Sequence, residues 1–108
     1  MRALLFTVLT TLVLSCGWEA SSATLARAAD GPGGGAELFN ANCALCHGRK
    51  GDLGMNGAKD LTVSTLSRPE MIALVSNGKG VMMPYKNVLT PKQIEQVVDH
   101  ARTLRKAP

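Results

Sequence analysis

The chain has 108 residues, of which 45% are apolar, 19% charged and only 4% aromatic, with a formal net charge of +4. That length holds one small domain and excludes an enzyme with its own substrate domain; three cysteines exclude a multi-disulfide scaffold. The apolar content excludes a disordered chain. Phe6, Trp18, Phe39 and Tyr85 are the only aromatic residues, and two of them fall in the N-terminal leader. A domain this small and this poor in bulky side chains needs something else at its centre.

Met1-Arg2 is a short basic start, and residues 3–14 run without a charge. About 20 apolar residues are needed to span a bilayer, so this run reads as the apolar region of a secretory signal. Ala26-Arg27-Ala28 has the A-x-A cleavage form and predicts a signal peptide over residues 1–28. Ser21-Ser22-Ala23 is a second candidate site. Leu12-Val13-Leu14-Ser15-Cys16 is similar to a bacterial lipobox, so the alternative is a lipoprotein signal ending before Cys16, with a lipid-anchored product. Both readings place the domain in the periplasm or on a membrane face. Cys43 and Cys46 are then the cysteines left for chemistry in the mature region.

Residues 29–35 form a Gly-rich lead-in, and the domain proper is expected over 36–108. A helical segment is predicted over 36–42, with Leu38 and Phe39 as its apolar side, closed by residues 43–47. Residues 48–65 read as glycine-rich loop with one short turn around 61–63. Ser67-Arg68-Pro69-Glu70 is a helix start of the capping-box type, and Met71, Ile72, Leu74 and Val75 follow at helical spacing up to Asn77-Gly78. Thr90-Pro91-Lys92-Gln93 repeats the start signal. Ile94, Val97, Val98, Ala101 and Leu104 then make one apolar face, and Arg102, Arg105 and Lys106 are placed to suit the C-terminal dipole. No segment alternates as a strand would.

Cys43-Ala44-Leu45-Cys46-His47 is a C-x-x-C-H element. Two thiols three positions apart can add to the two vinyl groups of one porphyrin, and the adjacent imidazole is then held under the iron. Covalent attachment retains a haem in a domain too small to enclose it, and the macrocycle serves as the missing core. Two other readings of the same residues compete: a C-x-x-C redox disulfide, or half of a zinc site completed by other ligands, for which His100 is the only further histidine.

Three separated stretches carry a resemblance. They are Gly35-x-x-Leu38-Phe39-x3-Cys43-x-x-Cys46-His47-Gly48, then Asn77-Gly78-Lys79-Gly80-x-Met82-Met83-Pro84-Tyr85, then Leu89-Thr90-Pro91-Lys92-Gln93-Ile94-x-x-Val97-Val98. In this order they resemble the short class I cytochromes c of bacteria and photosynthetic organisms, over nearly the whole mature chain. The resemblance implies an all-α fold with three main helices around one covalently attached haem c and its iron. It implies Cys43 and Cys46 as attachment residues, His47 as one axial ligand, and Met83, immediately before Pro84, as the other, with Met82 as the alternative sulfur. It puts Gly35 and Phe39 where the first helix crosses the last, and His100 where relatives carry an aromatic.

One departure concerns His47. Relatives carry a proline whose carbonyl accepts the ring N–H of the axial histidine, whereas no proline lies between His47 and Pro69. Another carbonyl, near Asn56 to Lys59, is expected in its place.

The function implied is one-electron transfer by a periplasmic carrier that is not an enzyme. Its rivals are a haem enzyme or gas-binding sensor with a displaceable distal methionine, or a cytochrome subunit of a larger oxidoreductase. Lys79 and Lys86 flank the methionines, and Arg49 and Lys50 follow His47. They suit redox donors and acceptors with acidic docking surfaces. Nucleic-acid binding is not expected, because the basic residues do not alternate with stacking aromatics. A monomer is expected, on the membrane only if lipidated at Cys16.

Overall fold

A computed structural model describes Gly31 and residues 34–107 of the chain. The leader, both cleavage candidates and Cys16 lie outside the described residues. The chain forms α1 (Gly34–Asn42), α2 (Ala44–His47), α3 (Arg68–Asn77) and α4 (Pro91–Thr103), with 3-10 turns at Met55–Gly57 and Leu61–Val63. Among the described residues β-pairing amounts to one isolated bridge, Lys79 to Met82. The three expected helices are present, with α2 added as a single turn.

α4 is built by rules local to its sequence. Gln93 N donates to Thr90 Oγ1 at 3.2 Å, and Thr90 N donates to Gln93 Oε1 at 3.0 Å, so the capping box closes both ways. Pro91 sits in the first turn, where its missing N–H costs nothing. Ile94, Val97, Val98 and Ala101 follow at i, i+3, i+4 and i+7, and all are buried. α3 starts in the same way, with Ser67 N donating to Glu70 Oε2 at 2.7 Å and Glu70 N to Ser67 Oγ at 3.4 Å. It ends at Gly78, whose φ of +71° is left-handed.

α1 begins at Gly34, earlier than the expected 36. Gly34 and Gly35 are buried, so the end of the expected lead-in is packed helix. The reason is the crossing with α4. A Cβ on Gly35 would stand 2.3 Å from the Gln96 backbone oxygen and 3.3 Å from His100 Cβ. Glycine costs about 1 kcal/mol relative to alanine in a helix, but here it is what permits the two backbones to touch. One turn further on, Phe39 is 1% exposed and its ring lies 5.2 Å from that of His100, tilted by 56°. His100 thus takes the aromatic place in the crossing, as the resemblance implied.

The last helix stops at Thr103, short of Arg105 and Lys106. These two do not cap its dipole as expected. The Arg105 guanidinium donates to the Leu66 carbonyl and meets Met71 Sδ at 3.5 Å, and Lys106 N donates to the Thr62 carbonyl at 2.9 Å. Both join the chain end to the loop ahead of α3. α3 is joined to α4 by Arg68, which donates to both Asp99 oxygens at 2.7 and 3.0 Å and to Glu95 at 3.2 Å.

The buried apolar residues are Leu38, Phe39, Met71, Leu89, Ile94, Val97, Val98 and Ala101. All come from α1, α3, α4 and the approach to α4. The glycine-rich loop adds none of them.

Gly35→Ala sets a propensity gain of about 1 kcal/mol against an overlap worth about 1–3 kcal/mol or more. Contact with main chain cannot be relieved by a rotamer change, so the overlap wins and thermal unfolding should fall by roughly 10 °C. An unchanged or raised midpoint would show that the helices part freely.

The hydrogen bonds from Arg68 hold the Asp99 carboxyl below the usual carboxylate range, against a smaller opposing effect of burial. A lowered folded-state value stabilises above the ordinary pKa of about 4, and that stabilisation is lost as pH falls through the folded value. Both side chains are about half exposed, so the effect is under about 1 kcal/mol. Asp99→Asn should therefore unfold a few degrees earlier at neutral pH, and the gap should narrow as pH falls through the carboxylate range.

Candidate functional site

α1 ends at Asn42, and Cys43, with φ −115° and ψ −32°, breaks the helix before α2 begins. The Cys43 carbonyl accepts from Cys46 N at 3.2 Å and from His47 N at 2.9 Å. This tight turn presents two cysteine sulfurs and an imidazole from one short segment. Both cysteines are half-buried. Burial, and then the neighbouring Cys46, pushes the Cys43 thiol up to about 11. Dithiol oxidoreductases need the opposite, a lowered value that supplies thiolate at neutral pH. The zinc alternative fares no better. Among the described residues no three His, Cys, Asp or Glu side chains gather as a metal set, and His100 is engaged with Phe39.

His47 is half-buried, and its Nδ1–H donates to the Lys59 carbonyl at 3.0 Å. This is the substitute carbonyl expected near residues 56–59. The loop reaches it through left-handed backbone at Gly54 (φ +68°) and Asn56 (φ +53°). Asp60 then fixes the exit, accepting from Thr62 N at 2.8 Å and from Thr62 Oγ1 at 2.5 Å. Leu53 N donates to the His47 carbonyl at 2.9 Å, and Leu61 N to Gly51 O at 2.8 Å. With its proton held on Nδ1, the ring keeps the Nε2 lone pair for a ligand role.

The segment from Gly78 to Lys86 carries the two methionines. It is fastened by main-chain bonds at both ends. Lys79 and Met82 exchange bonds at 3.0 and 3.1 Å, while Tyr85 N donates to Val75 O at 3.0 Å and Lys86 N to Ser76 O at 3.3 Å. A Cβ on Gly78 would meet Met82 O at 2.5 Å and Pro84 N at 2.8 Å. Met82 is half-buried and Met83 is 51% exposed. Met71, expected in the core, is buried there. Tyr85 Oη donates to the Asn42 carbonyl at 2.9 Å. Burial raises the phenol above its ordinary value, so it stays a donor at neutral pH. Sequence reasoning gave Tyr85 no role of its own. The available signal was a lone tyrosine in a domain nearly without aromatics.

Large apolar side chains stay in water in the segments that bear the thiols, imidazole and thioethers. Leu45 is 78% and Val81 83% exposed, and Met83 and, on the loop after His47, Leu53 and Met55 are exposed as well. The donor set and this apolar surplus fit a flat hydrophobic group that carries a metal.

An all-α domain with a C-x-x-C-H turn after its first helix and a methionine-bearing loop before its last is the pattern of a class I c-type cytochrome. The family model described as cytochrome C oxidase, cbb3-type, subunit III matches residues 31–100. The chain is 41% identical over 75 residues to cytochrome c6 of Leptolyngbya boryana, covering 64% of this chain and 86% of that protein. It is 35% identical over 103 residues to cytochrome c6 of a Synechococcus species, covering 90% and 88%. The solved c-type cytochrome KustC0563 superimposes with a TM-score of 0.61 at 31% identity, covering 67% of this chain and 98% of that one. The chain belongs to the family of c-type cytochromes that this model describes. It carries one covalently bound haem c with its iron, and it transfers electrons between redox partners rather than turning over a substrate.

Gly78→Ala combines a left-handed φ with a main-chain overlap, each worth about 1–3 kcal/mol. The expected outcome is a loss of about 2–4 kcal/mol in unfolding free energy, with amide NMR shifts concentrated in residues 78–86. Shifts spread evenly over the helices would show that the loop does not absorb the strain.

Proposed function

We propose that this protein is an exported, periplasmic one-electron carrier, with haem c held by thioether bonds from Cys43 and Cys46 and its iron between His47 and Met83. The observation that carries this reading is the His47–Lys59 hydrogen bond. It orients the imidazole and leaves Nε2 available, from the same turn that holds the two thiols. Bound haem supplies an iron that changes by one electron while its ligands stay in place.

The chain's own residues do the remaining work. The Lys59 carbonyl keeps the His47 ring in one tautomer and one orientation. The thioether of Met83, a soft neutral ligand, favours the ferrous state and raises the potential. Main-chain bonds at both ends of residues 78–86 limit how far the loop can move between oxidation states. Lys79, Lys86, Arg49 and Lys50 are exposed and suit acidic partner surfaces, which gives fast encounter at low salt. The leader over 1–28 accounts for export, with lipidation at Cys16 as the alternative route to a membrane-held form, and the working unit is a monomer whose packed domain begins with α1 at Gly34.

A second reading rests on the family model's description, which names an oxidase subunit. In it the domain serves one larger oxidoreductase instead of diffusing between partners. Purification from native membranes separates the two.

The carrier reading is tested by optical spectra of the exported protein, ferric and ferrous, with and without carbon monoxide. A low-spin spectrum with the weak far-red band of sulfur-ligated ferric haem, and no response to carbon monoxide, is expected. Met83→Ala should abolish that band and admit carbon monoxide, while Met82→Ala leaves both unchanged. The reverse pattern assigns the sulfur to Met82. A wild-type protein that binds carbon monoxide fully has an open iron, and the carrier reading then fails.

A further inference from the structure

The methionine loop and the attachment turn are far apart in sequence, and one side chain joins them. The amides of Cys46 and His47 both donate to the Cys43 carbonyl. The break at Cys43 thus separates α2 from the end of α1. The Asn42 carbonyl, last in α1, is taken instead by Tyr85 Oη at 2.9 Å. The Asn42 side chain turns back and donates to the Leu38 carbonyl at 2.9 Å, so the helix end is fastened on both sides.

Tyr85 follows Pro84 and lies two positions from Met83; Asn42 immediately precedes Cys43. The ring of Tyr85 packs on the buried cluster, and its amide holds Val75 O at 3.0 Å. The residue is therefore fixed at its backbone, ring and hydroxyl. Of these, the hydroxyl makes the hydrogen bond to the residue just before the first thiol. Lys79 and Met82 bond only to each other within the loop, which shapes it locally but does not set its distance from His47.

We propose that Tyr85 is a positioning residue for the methionine loop: its hydroxyl, bonded to the Asn42 carbonyl, sets how firmly the methionine sulfur is held over the iron. The inference rests on the His/Met reading given above. Removing the bond takes away the hydrogen bond that ties the loop to the end of α1 beside the attachment turn, and leaves apolar packing and the haem to hold the two together. A neutral hydrogen bond contributes enough that its loss should raise the open, sulfur-free fraction about five-fold.

The test uses the holoprotein in wild-type, Tyr85→Phe and Arg68→Met forms. Tyr85→Phe keeps the ring in the core and removes the hydroxyl. Arg68→Met loosens α3 from α4 without touching the loop. Carbon monoxide uptake by the ferrous protein, the ferric far-red band and thermal unfolding are read for each.

The expected result is an approximately five-fold rise in carbon monoxide uptake and a weakened far-red band in Tyr85→Phe. Arg68→Met should unfold earlier with both readouts unchanged. Equal uptake in Tyr85→Phe and wild type overturns the proposal. So does a rise that tracks unfolding temperature equally in both variants, because the role is then merely structural. A wild-type protein without the far-red band and saturated by carbon monoxide overturns the ligation reading first and this one with it.

Discussion

Everything in this domain hangs on the contact between Gly35 and the Gln96 carbonyl. Backbone touching backbone fixes the axis of α1 against α4 far more tightly than interdigitated side chains could. The end of α1 then fixes where Cys43 breaks the helix. The break fixes the thiols, the imidazole and the Asn42 carbonyl that Tyr85 grips. A small change in the crossing angle would be carried to all of them. The Phe39–His100 ring contact lies on the same crossing and resists rotation about it.

The core that results is one-sided. α1, α3 and α4 bury their apolar stripes against each other, while Leu45, Leu53, Val81 and Met83 are left exposed in the turns and loops that bear or flank the proposed ligands. For a domain this small, that exposed surface is a large share of the apolar area available. A covalent haem resolves the shortage, since it brings a large apolar face that no side chain here could supply. The glycine-rich loop after His47 follows from the same economy of bulk: it wraps and bonds through main chain, at Gly51, Leu53 and Lys59, and contributes little packing.

Features whose cause is local were legible in the sequence. The two capping boxes, the glycine stop after Asn77 and the face of α4 depend on residues within a few positions of each other, and all are present as expected. The C-x-x-C-H turn was legible for the same reason, and His100 could be placed by the resemblance. The start of α1 was not. A run of glycines reads as loop, and only the distant Gln96 carbonyl explains why two of them are helix. Local sequence suits Arg105 to the helix dipole, because its actual partner, the Leu66 carbonyl, is 39 positions away. The acceptor for His47 could be narrowed to a short span but not named, because a backbone carbonyl carries no residue-type signature. Nothing local to Tyr85 announces its hydroxyl bond, whose acceptor lies 43 positions away.

A division of labour follows between helices and loops. The helices hold one another and set a frame; each proposed contact with the iron comes from a turn or loop at their ends. Loops are the mobile part of most folds, yet an electron carrier works best when its ligands move little between oxidation states. Here the conflict is met by main-chain bonds at Lys79–Met82, Tyr85–Val75 and Lys86–Ser76 and by side-chain bonds that end on main-chain carbonyls, His47 to Lys59 and Tyr85 to Asn42. A carbonyl acceptor has no rotamer of its own to search and no charge to titrate. The two segments proposed to hold the iron are thereby tied to main chain, one at Lys59 and the other at the end of α1.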